Sequence, residues 1–385
     1  MRRVVLAALL VTGLVFALSW FVVSSDEYEP RLTIGFNACD YRVFISRCLL
    51  EDAPYRPVTI PAHDACYPPI AYCLVRLFAQ GSCGEVLYVS LLFAGLAAGL
   101  VFFMRQRRLK DVILLVGAVV MTVPFASGPI RGNPAAWATG AVCVFLAWYD
   151  AEEMWKRMIA ASALGFATAL KITPVVYGLL YLRGSLCEPE KWPKEEIFVA
   201  AMSFIAFFAI PFVFFGGPNE VEAWLGNALG NSRHYSPLAD YGLAPIVRLF
   251  GDSLPSVALS LSVHLTNLLA VLLCLASCFA RRFYHALVLL GVAMVFLCHH
   301  DYGLAYLLPA FACWLAEPRP GGMAKWAANG LLAVESLSWF LVFESLLCVH
   351  SHHLLELNEQ VVGNGAVMLL GLLSLRRSNL SGVLI

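Results

Sequence analysis

One carboxylate, Asp40, opens the longest polar stretch of an otherwise apolar chain: DYRVFISRCLLEDAPYRPVTIPAHDACYPP, from Asp40 to Pro69. A carboxylate so placed can take the proton of an attacking hydroxyl. It can also cap a helix, because Tyr41, Phe44, Ile45, Cys48 and Leu49 recur at the spacing of one helical face just after it. The two roles are compatible, and spacing alone does not choose between them. Cations follow along the chain: Arg131 in GPIRGNP, Lys171 in KITP and Arg233 in NSRHY. Lysine binds a phosphate as a point charge, and each of these cations also has a plainer reading as a snorkelling side chain or a headgroup contact. Tyr67, Asn133, His234, His299 and His300 supply further polar groups. The pair His299–His300, followed by Asp301, reads equally as a site lining or as an interfacial cluster without chemistry. Acid, base and cation gathered on one side of a membrane suit a site for an anionic, lipid-linked substrate and a hydroxyl. His350, His352 and His353 resemble a metal tract, but no carboxylate joins them at ligand spacing, so neither a metal nor a cofactor is expected.

The elements that must position these residues are set by composition. The chain has 385 residues, of which 60% are hydrophobic and 14% charged, and its mean hydropathy is +0.75. Soluble domains carry about 25% charged residues, so this composition implies a polytopic membrane protein built as one integral domain over residues 1–385. Membrane lipids are then obligatory partners. The formal net charge is zero, which removes any electrostatic case for nucleic acid. Most of the twelve cysteines lie in apolar runs, where Cys behaves as a small hydrophobe. Cys39, Cys48 and Cys66 lie in the first polar loop, and pairing among them is open.

Arg2 and Arg3 precede the apolar run Val4–Val23, which reads as a retained first span with its N-terminus inside rather than as a cleaved signal peptide. This puts residues 24–69 outside as the first outer loop. Ile70–Gln80 is too short to cross and reads as a half-helix. Leu87–Met104 spans and ends in RQRRLK, a cytoplasmic signature. Val112–Ala126 crosses outward, and the turn around Gly128–Pro134 leads into Ala135–Tyr149, which returns. Asp150–Arg157 is an inner loop. Met158–Leu170 runs out, KITP interrupts it, and Val175–Leu182 comes back, a broken element of the kind tolerated only where it is buried or lines a cavity. Ile197–Phe215 leads to a second large outer loop, residues 216–255. Ser256–Ala280, His285–Cys298, Tyr302–Trp314, Trp326–Leu347 and Val361–Leu375 complete an all-α fold of roughly 10–12 transmembrane helices, with Lys and Arg clusters nearly all on one side. Both termini are expected in the cytoplasm, with the polar cluster on the extracytoplasmic face of a plasma (inner) membrane.

Four stretches together carry a family resemblance: Asp40 with its amphipathic helix and APY (Ala53–Tyr55), the closing YPP (Tyr67–Pro69), the RGNP turn with the ALKITP break (Ala169–Pro174), and CHHDYGLAYLLP (Cys298–Pro309). The chain resembles the GT-C glycosyltransferases that use polyprenol-phosphate sugars, and within them glycosyltransferase family 87, the α-mannosyltransferase-like group. The resemblance implies a GT-C type fold with a catalytic first extracytoplasmic loop. It implies a polyprenyl-phosphate sugar donor, mannose above all, and a lipid-linked or glycan acceptor. It assigns Asp40 as catalytic base, puts one of His299 and His300 in the active site, and makes Lys171 a phosphate contact. Tyr67, Arg131, Asn133, Arg233 and His234 complete the expected substrate-binding set. An arabinofuranosyl or glucosyl transferase of the same architecture remains open, as does a transporter or lipid flippase, although transporters often show internal repeats and midplane charges that are not seen here.

Overall fold

The computed structural model describes residues 67–78, 84–105, 132–187, 192–235, 242–248, 256–280, 283–298 and 301–316, with short pieces at 129 and 367–368. Their regular structure is entirely helical, as the apolar runs require: in hydrocarbon a helix satisfies every backbone hydrogen bond within itself. Three helices among the described residues are long and apolar enough to cross a membrane, over Val86–Phe103, Lys194–Phe215 and Val257–Cys278. The protein is an all-α membrane protein. Its chain divides into two compact units, one formed by residues 35–103 and 128–238, the other by residues 1–34, 104–127 and 239–385.

The first unit contains α1 (Pro69–Phe78), α2 (Gly84–Phe103), α3 (Ala135–Trp148), α4 (Met154–Leu170), a 3-10 segment (Thr173–Gly178), α5 (Leu179–Cys187), α6 (Lys194–Ala209), a second 3-10 segment (Ile210–Phe215) and α7 (Pro218–Tyr235). Side-chain pairings fix the helix directions. Tyr88 meets Trp137 at 5.4 Å between ring centroids and Phe102 meets Trp148 at 4.6 Å, so α2 and α3 run the same way. Their seam is made of glycines: a Cβ on Gly99 would stand 2.5 Å from the carbonyl oxygen of Gly140. Trp137 locks the seam by donating its indole N–H to the Leu91 carbonyl at 2.8 Å. In the same way α4 and α6 are parallel, with Arg157 on Glu196 near their starts and Phe166 on Phe207, centroids 5.0 Å apart, near their ends.

One end of this unit collects charge. Asp150, Glu152, Glu153, Lys156, Arg157, Arg183, Lys194, Glu195 and Glu196 fall at or near helix ends there. Arg157 ties two inter-helix turns together. Its Nε donates to Glu196 Oε1 at 2.6 Å, and its Nη1 donates to the carbonyls of Ala151 and Glu152 at 3.0 and 2.8 Å. Lys156 pairs with the exposed Glu153, and that hydrogen bond holds the Glu153 carboxyl below its ordinary range. Helix α4 begins at Met154, so the last residues of the expected inner loop Asp150–Arg157 are already its first turn.

At the other end α4 stops at Leu170 and the chain doubles back. Gly178 lies against Leu164, and Tyr181 stacks edge-on against Phe145 at 5.4 Å, so the 3-10 segment and α5 return beside α4 towards the charged end. The interruption expected at KITP is therefore a reversal of the chain. Residues 216–255, expected as loop, contain two helices among their described residues: α7 and α8 (Leu243–Arg248). The polar content of PNEVEAWLGNALGNSRHY hides α7 from a hydropathy reading, yet Val221, Trp224, Leu225, Ala228 and Leu229 keep helical spacing.

The second unit contains α8, α9 (Ser256–Cys278), α10 (Phe283–Cys298), a 3-10 segment (Asp301–Leu307) and α11 (Leu308–Ala316). Thr266 docks α8 on α9: its hydroxyl accepts the Leu243 N–H at 2.9 Å and donates to the Ser262 carbonyl at 2.8 Å. Helix α10 is apolar all round and is buried on every side apart from Phe283 and Leu297. Gly291 lies against Tyr306 and Leu307, and Gly303 lies against Cys298, so the following chain folds back on α10. The expected span Tyr302–Trp314 is split at Leu308. Pro309 has no N–H to continue the preceding hydrogen-bond pattern, and it sits in the first turn of α11, where none is needed.

Candidate functional site

Three residues singled out by type and position meet at the end of the first unit opposite its charged end. Asn133 is set there by its neighbours. Gly132 takes φ of 74°, a left-handed conformation that glycine adopts without strain, and donates its N–H to the Pro129 carbonyl at 2.8 Å. Pro134 then starts the helical path. Fully buried, Asn133 uses its side-chain oxygen to accept the Ala135 N–H at 2.9 Å, one of the donors that a helix start leaves without an internal partner. This fixes the amide so that its Nδ2 donates to the hydroxyl of Tyr67 at 2.7 Å.

Lys171 arrives from the opposite helix direction. Its N–H closes α4 on the Ala167 carbonyl at 3.1 Å, and its backbone then becomes extended, at φ −157° and ψ 119°. Pro174, in the following turn, cannot donate to a continuing helix. The Lys171 ammonium lies 5.7 Å from the centroid of the Tyr67 ring, within cation–π reach, and is shielded from solvent. Tyr67 is thus the hub, with its hydroxyl bonded to Asn133 and its ring facing Lys171. Because α3 leaves this point and α4 arrives at it, the two are antiparallel, and at the far end Trp148 of α3 meets Trp155 of α4 at 5.4 Å.

Helix α1 begins two residues after Tyr67, at Pro69. It buries Ala71, Tyr72 and Val75 and leaves Leu77 exposed. Phe78, its last residue, meets Tyr88 near the start of α2 at 5.8 Å. At ten residues, about 15 Å, it is a half-length helix, as its sequence suggested. A lysine ammonium removed from water beside an aromatic face is an arrangement that can hold an oxyanion.

Asp40, Arg131, His299 and His300 lie outside the described residues, and so do Cys39, Cys48 and Cys66. Arg233 and His234 fall in the last turn of α7, where only the helical backbone is described. His299 and His300 belong to the chain segment of the second unit, between α10 and Asp301. Among the described residues no group of three or more His, Cys, Asp or Glu is gathered as a metal would need. Glu220, passed over in the sequence, is a buried carboxylate in the first turn of α7, packed on Gly216. Two glycines and a proline just before an acidic residue were the available signal.

A model of glycosyltransferase family 87 matches residues 65–300. The matched stretch holds Tyr67, Arg131, Asn133, Lys171, Arg233, His234, His299 and His300, and it starts after Asp40. None of the curated proteins compared matches the chain. The match covers more than half of an all-α membrane chain, and the protein belongs to glycosyltransferase family 87.

Proposed function

We propose that this glycosyltransferase moves mannose from a polyprenyl-phosphate donor to an acceptor hydroxyl at the outer face of the plasma (inner) membrane, with inversion and with Asp40 as general base. The observation that carries the reading is the meeting of Lys171, Tyr67 and Asn133 at the end of the first unit away from its charged end. That cluster suits a phosphate at the membrane boundary.

The chemistry needs few groups. A lipid phosphate is already a good leaving group, so no general acid is required. Asp40 takes the proton of the acceptor hydroxyl while its oxygen attacks C1 of the sugar and the C1–O bond to phosphate breaks. One displacement inverts the anomeric centre, so a β-linked lipid phosphate gives an α-glycoside. Lys171 meets the charge that grows on the phosphate, with Arg131 and Arg233 as further cations. Tyr67 and Asn133 hold the Lys171 side chain and the start of α3 in register. Arg131, His234, His299 and His300 are assigned to binding donor and acceptor, on the family resemblance and their positions in the sequence.

The test is transfer of radiolabelled mannose from polyprenyl-phosphate-mannose into lipid or glycan by membranes containing the wild-type chain, beside membranes containing Asp40→Asn at equal expression. Label in the first and none in the second supports donor, reaction and base together. Full transfer by Asp40→Asn removes Asp40 as base. No label in either, with label from an arabinofuranosyl or glucosyl lipid phosphate, changes the sugar and keeps the reaction.

A further inference from the structure

Helix α7 (Pro218–Tyr235) has a surface divided in three. One strip packs on the protein. It includes Glu220, which is buried, and Trp224, whose ring meets Phe208 of α6 at 4.9 Å between centroids. A second strip, Val221, Leu225 and Leu229, recurs every four residues and is exposed, with Leu225 and Leu229 at 50% and 55%. A third strip, Asn219, Glu222 and Gly226, is exposed and polar. At 100° per residue the apolar exposed strip lies between the buried strip and the polar one. A soluble helix has two faces, protein and water. A third face that is apolar and uncovered needs a third medium.

The chain next to α7 identifies that medium. Helix α6 and the 3-10 segment after it form a 22-residue apolar stretch, Lys194–Phe215, long enough to cross a bilayer. Its last turns expose Ile210, Val213 and Phe214, the latter two at 75% and 68%. Only Gly216 and Gly217, both with positive φ, separate this lipid-facing end from α7. Beyond the Gly–Gly turn α7 packs chiefly on the 3-10 segment and, through Trp224, on Phe208 of α6. The exposed apolar surface of the span therefore continues onto the second strip of α7. The third strip and the polar C-terminal residues Asn231–Tyr235 rule out burial in hydrocarbon.

We propose that α7 is a membrane-surface helix, with its Val221–Leu225–Leu229 strip seated at the headgroup–acyl boundary of the leaflet where α6 ends and its Asn219–Glu222–Gly226 strip in water. This assignment is independent of the sugar, the donor and the catalytic base. It places the last turn of α7, which carries Arg233 and His234, at headgroup level.

The full chain, reconstituted in vesicles of phosphatidylcholine and phosphatidylglycerol, tests it. A small fluorescent amino acid is introduced singly at Leu225, Leu229 and Gly226, the last being open because nothing lies within 4 Å of a Cβ there. Phosphatidylcholine brominated on its acyl chains is expected to quench positions 225 and 229 several-fold more than 226, with aqueous iodide giving the reverse order. Iodide quenching 225 and 229 as well as 226 overturns the proposal. So does protection of 225 and 229 from both quenchers together with a dimeric chain, which would mean that a second copy covers the strip. Should a probe at Leu225 or Leu229 prevent folding, Leu225→Ser/Leu229→Ser serves instead. It is expected to increase protease cleavage within α7 in vesicles several-fold while leaving thermal unfolding in detergent unchanged, and unchanged cleavage overturns the proposal.

Discussion

Asn133 and Tyr67, 66 positions apart in the chain, are joined by a 2.7 Å hydrogen bond in which the amide donates to the phenol. The bond ties the start of α3 to the residue that leads into α1, and it holds the Tyr67 ring where Lys171 faces it. Tyr67→Phe keeps the ring and loses the acceptor, and it is expected to cost about 1 kcal/mol in thermal unfolding with little effect on transfer. Tyr67→Leu also loses the face presented to Lys171 and is expected to lower transfer about tenfold. Equal activity in the two variants would detach the ring from the site.

Lys171→Met separates function from folding. A cation at a developing phosphate charge contributes roughly 3 kcal/mol, so transfer is expected to fall about a hundredfold. Methionine keeps the length and the apolar stem of the side chain, so the loss of transfer is expected to exceed by far any change in unfolding temperature. Lys171→Arg is expected to recover part of the activity. The measurement is initial rate against donor concentration in membranes with matched expression.

At the opposite end the Arg157–Glu196 pair is structural. Arg157 also binds the carbonyls of Ala151 and Glu152, so Arg157→Ala strips three interactions and Glu196→Gln weakens one. About 2–3 kcal/mol is expected for the first and about 1 kcal/mol for the second. Unfolding in detergent followed by intrinsic fluorescence measures both. A larger loss for Glu196→Gln would contradict the bonding described here.

Two glycine-to-alanine substitutions are expected to have opposite signs. At Gly99 the added carbon would stand 2.5 Å from a backbone oxygen of Gly140, which cannot swing aside, so Gly99→Ala should cost about 1–3 kcal/mol. At Gly226 there is open space, and Gly226→Ala should stabilise by up to about 1 kcal/mol through helix propensity. Thermal unfolding of the two variants side by side decides this.

Much of the first unit was legible in the sequence. Apolar runs located the helices, and basic clusters separated the charged ends from the rest. The Lys171–Pro174 interruption marked the reversal, because a proline after a helix end acts locally. Two kinds of fact were not legible. Helix α7 escaped because a helix with one face on protein, one on water and one uncovered averages to a loop-like hydropathy, although its Val221–Trp224–Leu225 spacing was visible. The Asn133–Tyr67 bond and the Gly99–Gly140 seam escaped because they join distant positions. A single sequence records that an asparagine or a glycine is present but does not record what it faces.

The antiparallel run of α3 and α4 has an electrical consequence. The start of α3 carries about half a positive elementary charge and the end of α4 about half a negative one, and Tyr67 lies where the two meet. Lys171 sits on the negative pole and more than cancels it. A ligand anion there meets an oriented field, set partly by two backbone ends that no side-chain substitution removes. Replacing Lys171 with a neutral residue therefore leaves two opposed half charges that nearly cancel, and the point loses most of its attraction for a phosphate.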